Sequence, residues 1–599
     1  MTTQAELARL KAQALAAQAE AKAAQAAAAQ AALEAAQAEL SEQVVAAEEN
    51  SLSSKRQNQQ LETESLSYQN TVKAGYSFES SSFTLGTYLS GNHPMPGVTV
   101  NIPIGMLNRH GLIAGATGTG KTRTLQLIAE GLSRAGVPVF LTDIKGDLSG
   151  LAELGTNTEQ LDARIAEQGQ PWEAQSFPTE FYSLGGHGKG IPIRTTVSDF
   201  GPLLFAKVLG LNDTQESALS LIFHWADQER LALIDLQDLR AVVSYLTSDE
   251  GKDELLDIGG IARATAGVIL RKVSELQAQG AEEFFGEPAF DVADLIRHTP
   301  EGYGMISALE LPDVQSRPAL FSTFVMWLLA ELFETLPERG DADLPKLVFF
   351  FDEAHLLFND ASAQFVDLVV QTVRLIRSKG VGIFFVTQTP KDLPDDVLGQ
   401  LGAKIQHALR AHTPNDMKKL RETVKTFPMS PIDLETALPS LGTGEAIVTL
   451  LDDHGRPTPV APTRIWAPAA SMGVASDMTF AQTIEQSTTR EKYQTPVDPE
   501  SAYELLQARI SAEQAAEINL LAQEEAKKEQ EKLVRELAKQ VAAEEKAAQQ
   551  QRVYELRQAQ KEMQRQRKRQ ESMLDSIVKS AGRTLAKEIT RGLFGNRRR

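Results

Sequence analysis

Residues 115–122 read Gly-Ala-Thr-Gly-Thr-Gly-Lys-Thr, a full match to the G-x-x-x-x-G-K-[S/T] spacing of a phosphate-binding loop. Gly115, Gly118 and Gly120 let the backbone turn so that the N–H groups from Gly115 through Ala116, Thr117, Gly118, Thr119 and Gly120 face one anion. Lys121 supplies a point charge to the β and γ phosphates. The Thr122 hydroxyl can ligate Mg²⁺, and Arg123 continues the same nucleotide-binding run. An apolar stretch, GLIAG (111–115), precedes the loop. A helix from Lys121 to about Ala135 is expected to follow it, with its N-terminal dipole aimed at the phosphates. This chemistry implies ATP with Mg²⁺ as the ligand.

A second constellation, KLVFFFDEAHLLF, occupies 346–358. An apolar strand ending in Asp-Glu suits hydrolysis: Asp352 would hold Mg²⁺ through its water shell, and Glu353 would act as general base on the attacking water. The plainer reading is that both acids cap the helix that follows. A third strand, VGIFFVTQ (381–388), ends in Gln388. There a polar side chain in the ligand crevice would sense the γ phosphate or orient water, or else simply bond to a turn. Asp143 ends PVFLTD in the same way, facing the metal or nucleic acid, or capping its own turn.

The elements that must position these groups are short β-branched and aromatic runs alternating with helical stretches, which predicts an α/β domain with a mostly parallel sheet. The strands expected are 111–115, 138–143, 303–311, 346–352 and 381–388, each apolar enough to be buried on both faces. Residues of about 150–300 are too many for a loop and are expected to form a mostly helical insertion. EAIVTLLDDHGRPTPV (445–460) predicts a hairpin. The domain plan is an Ala/Gln-rich helical or coiled-coil extension at 1–70, an ATPase domain at 75–470, a linker at 471–499, a charged long helix at 500–575, and a basic tail at 576–599.

The chain has 599 residues, a net charge of −19, 42% hydrophobic residues and no cysteine. Disulfides, thiolate metal sites and cysteine nucleophiles are thereby excluded. The nine histidines show no zinc spacing, and no G-x-S-x-G elbow supports acyl transfer. His355 and His407 are expected to be packed or solvent-facing. The N-terminus lacks a signal-peptide pattern, and FSTFVMWLLAELF (321–333) is too short to span a bilayer, so a cytoplasmic protein without a transmembrane segment is expected. Residues 561–599 hold twelve Lys/Arg against four Asp/Glu. Such a basic end can touch nucleic acid or an anionic surface, or remain a free end.

Taken together, GLIAGATGTGKT, FLTDIKGDLSGL, KLVFFFDEAHLLF and VRLIRSKGVGIFFVTQTPKDLP resemble the HerA-like branch of the HerA–FtsK superfamily. The resemblance is narrower for the HerA-like C-terminal helicase-domain proteins. FFGEPAFDVADLIR (284–297), IQHALRAHTPND (405–416), GEAIVTLLDDHGRPTPV (444–460) and SAGRTLAKEITRGLFG (580–595) strengthen it. It implies a RecA-like P-loop ATPase that assembles as a homo-oligomer, usually a hexameric ring, and moves DNA as a translocase or helicase. In such rings a neighbour's arginine stabilises charge on the transferring phosphate. Arg377 is the position implied, with Arg374 and Arg410 behind it. Lys404, Lys418, Lys419 and Arg421 are the expected DNA contacts, or else a solvated helix face. Only about 35 residues (76–110) separate the helical extension from the loop, too few for the full β-barrel with which HerA translocases dock a nuclease, which puts a nuclease partner in doubt. The alternative is an ATPase-switched scaffold whose terminal helices bind partners without moving DNA.

Overall fold

The computed structural model describes residues 4–185, 188–256, 259–311, 317–338, 340, 343–358 and 363–567. Apolar runs dominate its strands: β1 (Ser82–Ser90), β2 (His93–Pro103), β3 (Gly111–Ala114), β4 (Val139–Asp143), β5 (Thr179–Leu184), β6 (Ile191–Ile193), β7 (Ile306–Glu310), β8 (Leu347–Phe351), β9 (Val381–Thr387), β10 (Ala403–His407), β11 (Glu445–Thr449) and β12 (Ala461–Ile465). They form one sheet in the order β2-β1-β12-β11-β10-β3-β9-β8-β4-β7-β5-β6. From β10 to β6 every pairing is parallel. From β10 to β2 every pairing is antiparallel.

All residues of β3, β4, β8 and β9 are buried, as required of parallel strands covered on both faces. Register brings Ile113 beside Val386 and Ile405, and Phe350 beside both Leu141 and Phe384. The helix Pro318–Thr335 is long and apolar enough by composition to cross a membrane. It is a core helix here, with Phe321, Phe324 and Val325 fully buried.

The segment 150–300 is mostly helical, with helices at Glu159–Gln168, Val197–Val208, Asp213–Gln228, Leu236–Thr247 and Arg263–Ala278. Thr158, Thr196, Asn212 and Asp235 cap the first four by accepting backbone N–H bonds, which explains where each begins. The segment also contributes β5 and β6 to the sheet, which the expectation of a helical insertion did not include. In β5 the acidic Glu180 interrupts the apolar pattern, but Arg297 pairs with it inside the fold and permits its burial.

The 76–110 segment folds as the β1–β2 hairpin, joined to the main sheet through β12. The expected hairpin at 445–460 is centred on the Asp452–Arg456 turn, where Asp452 N donates to the Arg456 carbonyl (2.8 Å); its second strand falls slightly later, at β12.

Two compact units divide the chain, Met1–Leu506 and Gln507–Arg599. In the first, a helix spans Gln4–Gly75. Leu7, Leu10, Leu15, Leu33 and Leu40 stay exposed along it. Its C-terminal end is anchored: Tyr76, fully buried, donates to the Pro459 carbonyl (2.8 Å) and accepts from the Thr458 hydroxyl (2.9 Å). Tyr68 donates to the Val460 carbonyl (2.8 Å). The helix Ala502–Arg567 begins where Ser501 Oγ and Tyr503 N both donate to Asp238 Oδ1. In the second unit that helix exposes Ile518, Leu521, Leu533, Leu537 and Val541. The expected basic tail at 576–599 and the 580–595 stretch lie outside the described residues.

Candidate nucleotide site

β3 ends at Ala114, and Gly115 turns the chain away from the sheet with φ +155°. A Cβ at this position would stand 2.5 Å from His407 Cβ, so only glycine lets the loop lie against β10. The loop is tied to its neighbouring strands: Gly115 N donates to the Thr387 carbonyl (3.2 Å) and Ala116 N to the Ala408 carbonyl (2.9 Å). Thr119 Oγ1 closes the turn on the Ala116 carbonyl (2.7 Å). Thr117 and Gly118 face solvent, and Ala116, Gly120, Thr122 and Arg123 are half-buried.

Lys121 is buried, and its Nζ donates to the Gly115 carbonyl at 2.8 Å. Burial pushes its ammonium below the ordinary lysine value, with the Glu353 charge opposing that shift and the Lys145 charge adding to it. Arg123 reaches Gln126 Oε1 (2.9 Å) and the Asp147 carbonyl (3.4 Å), joining the P-loop helix Lys121–Arg134 to the turn after β4.

His407 braces the loop from behind. Its Nδ1 lies 2.9 Å from the Glu445 carbonyl and its Nε2 lies 2.9 Å from Thr124 Oγ1. A carbonyl can only accept, so the proton sits on Nδ1 and Nε2 takes the threonine hydroxyl. Burial lowers its pKa to about 4, which keeps this ring neutral. It is a packed residue, as expected. His355 is partly exposed, with Nδ1 3.3 Å from Glu353 Oε2 but no hydrogen bond formed.

Two strands away from β3, β8 delivers Asp352 and Glu353, both buried. Asp352 Oδ1 accepts from Glu353 N (2.9 Å), while Oδ2 has no hydrogen-bond partner. Burial raises the Asp352 carboxyl to about 7, with Lys145 opposing and Glu353 reinforcing. Glu353 has φ +46°, rare for a non-glycine residue and of a kind that gathers at functional sites. Its Oε1 is 2.5 Å from Lys145 Nζ and its Oε2 accepts no hydrogen bond. Buried carboxylate oxygens without partners are costly. A hydrated divalent cation and its phosphates would satisfy them, so the residues present fit that group. Among the described residues no three His, Asp or Glu side chains converge on a metal position.

Lys145 was not singled out from the sequence. It sits in a polar turn, DIKGD, with no periodicity to mark it; only its position after a buried strand ending in Asp offered a signal. Asp143 proves to be the turn cap: its carboxylate accepts from Gly146 N (2.7 Å), Leu148 N (2.9 Å) and Ser149 N (3.2 Å).

Gln388 follows β9 directly and is exposed, beside the P-loop strand. The turn after it is closed by Thr387 and Thr389, which bond to Asp392. Arg377 lies at the opposite, N-terminal end of β9. There it lines a cavity of about 240 Å³ with Arg109, His110 and Arg374. Within one chain, therefore, Arg377 does not meet Glu353. Arg410 is exposed three residues past β10, on the P-loop side. Of the basic residues expected on DNA, Lys404 donates to the Thr426 carbonyl (2.6 Å) and Arg421 reaches Glu435 (3.4 Å). Lys418 and Lys419 are exposed on the helix Pro414–Val424.

The chain is similar to several known proteins. The DNA double-strand break repair helicase HerA of Sulfolobus acidocaldarius is 23% identical over 363 residues, covering 59% of this chain and 64% of that protein. The protein of the same name from Sulfurisphaera tokodaii is 24% identical over 371 residues, covering 61% and 67%. The chain thus spans about two thirds of the length of these relatives, and slightly less of the first. The bacterial conjugative coupling protein TrwBdeltaN70 superposes with a TM-score of 0.44 and 13% identity, over 68% of this chain and 94% of that one. Residues 89–599 match the family described as helicase HerA-like C-terminal, far more than half of the sequence, and the chain belongs to that family.

Proposed function

We propose that this chain is a cytoplasmic Mg²⁺-dependent ATP hydrolase that works as a homo-oligomeric ring, a hexamer, and moves DNA. The observation that carries the hydrolytic reading is the buried Asp352–Glu353 pair, with one oxygen of each carboxylate accepting no hydrogen bond, close enough to Lys121 that the charges are felt there. In this reading the amides of Gly115–Gly120 and Lys121 hold the phosphates, with Arg123 tying the loop to its neighbour. Thr122 and Asp352 hold Mg²⁺, which neutralises charge on the phosphate oxygens. Glu353 accepts the proton of the attacking water, and exposed Gln388 orients that water. Arg377, at the other end of the sheet, serves the site of the next subunit. DNA as the polymer is suggested by the helicase relatives, and the exposed Lys418 and Lys419 are the phosphate contacts available to it.

The test is ATP hydrolysis by the purified protein, with and without duplex or single-stranded DNA, beside Lys121→Ala and Glu353→Gln. DNA-stimulated turnover lost in both variants supports the motor. Turnover that is lost in both variants but indifferent to DNA removes the translocase and favours the scaffold reading, for which the exposed leucines of Gln4–Gly75 offer a binding face. Unchanged turnover in Lys121→Ala would remove the site assignment itself.

A further inference from the structure

The turn at 143–149 is held by three backbone N–H bonds to Asp143, and it carries Lys145 across to β8. The Lys145 side chain is about half exposed, whereas Glu353, its partner at 2.5 Å, is buried. Burial alone would lower the lysine pKa, but the bond to Glu353 and the neighbouring carboxylates raise it, so it stays charged. Its charge is also felt at Lys121. Two lysines of different freedom therefore border one site. Lys121 is buried and bonded to the loop's own carbonyls. Lys145 is solvent-accessible on a flexible four-carbon stem, anchored only by an ion pair to the proposed general base.

The Glu353 oxygen held by the Lys145 ammonium at 2.5 Å is not open to an attacking water. We infer that Lys145 is a terminal-phosphate sensor: it exchanges Glu353 for the γ phosphate of bound ATP, and its departure frees the Glu353 carboxylate to act on water. This rests on the nucleotide reading above. The exchange runs in that direction because the terminal phosphate carries more negative charge than one carboxylate and offers more acceptor oxygens. ADP ends one phosphate short, so the ion pair stays closed and the base stays masked.

Binding measurements separate this role from mere neutralisation of Glu353. A non-hydrolysable ATP analogue and ADP, each with Mg²⁺, are titrated calorimetrically into Glu353→Gln and into Glu353→Gln/Lys145→Met. With the carboxylate already neutral, Lys145→Met is expected to weaken the ATP analogue about tenfold or more, the worth of one charge-assisted bond. ADP should stay within about twofold, which also shows the variant is folded. Lys145→Arg should regain most of the discrimination. Loss of the analogue's affinity equal to that of ADP, or no loss at all, would overturn the sensor. If Glu353→Gln binds neither nucleotide, or if Lys121→Ala leaves binding intact, the P-loop reading fails and the sensor falls with it. That result differs from the first because the failure appears with Lys145 still in place.

Discussion

Two glycines of the same loop make opposite demands, and alanine at each measures them. A methyl group at residue 115 would stand 2.5 Å from His407 Cβ and 2.9 Å from Thr119 Oγ1, well inside van der Waals contact. His407 cannot retreat without breaking its bonds to Thr124 and Glu445. Overpacking of this kind costs roughly 1–3 kcal/mol, and the positive φ roughly 1–3 kcal/mol more. At residue 118 an added Cβ meets nothing within 4 Å, and φ is +77°. Only backbone strain of roughly 1–2 kcal/mol applies there. Gly115→Ala is therefore expected to lose about 2–6 kcal/mol of folding stability, and Gly118→Ala under about 2 kcal/mol. Chemical denaturation followed by tryptophan fluorescence, without nucleotide, compares them directly. Losses equal within about 1 kcal/mol would refute the claim that His407, rather than the loop conformation alone, dictates the first glycine.

Glu310 ends β7 beside Asp143, buried and with Oε1 unpartnered. Burial pushes its pKa from 4.5 to about 8, with Asp143 adding to the shift and Lys189 opposing it. The folded pKa lies above the unfolded one, so the native state binds the extra proton between those values. Stability then falls as pH rises through that window, by up to about 1.4 kcal/mol per unit. Glu310→Gln should match the parent near pH 4 and exceed it at pH 8; parallel stability profiles would exclude this. Tyr76→Phe removes the donor to Pro459 at a fully buried position and should cost about 1–3 kcal/mol in the same denaturation assay. Tyr68→Phe, half-exposed, should cost less; a larger loss would show that the helix end is anchored at Tyr68 instead.

Much of the sheet was legible because β3, β4, β7, β8 and β9 are near-continuous apolar runs, a pattern that parallel strands covered on both faces require. β5 and β10 were not, for one shared reason. Glu180 and His407 are polar side chains whose burial is made possible by partners far along the chain, Arg297 for Glu180 and Thr124 for His407. The phosphate loop and the Asp-Glu pair could be read because their chemistry is local in sequence. Lys145 could not: its significance lies in a contact with a residue 208 positions away. The two readings of Asp143 needed coordinates as well, since nothing in DIKGD says which way the carboxylate turns.

β3 is four residues long, about 13 Å at the usual rise. At one end Gly115 opens the phosphate loop. At the other, His110 accepts the Ile383 N–H through Nδ1 (3.0 Å) and borders the cavity shared with Arg377. The strand is pinned to β9 at both ends. In the proposed ring, a subunit built this way has little slack between the face proposed to hold its own nucleotide and the face bearing Arg377. A push on either end is carried as a rigid displacement, as by a short piston. If the proposed ring holds, loosening that strand should leave each site chemically intact while uncoupling successive subunits in time.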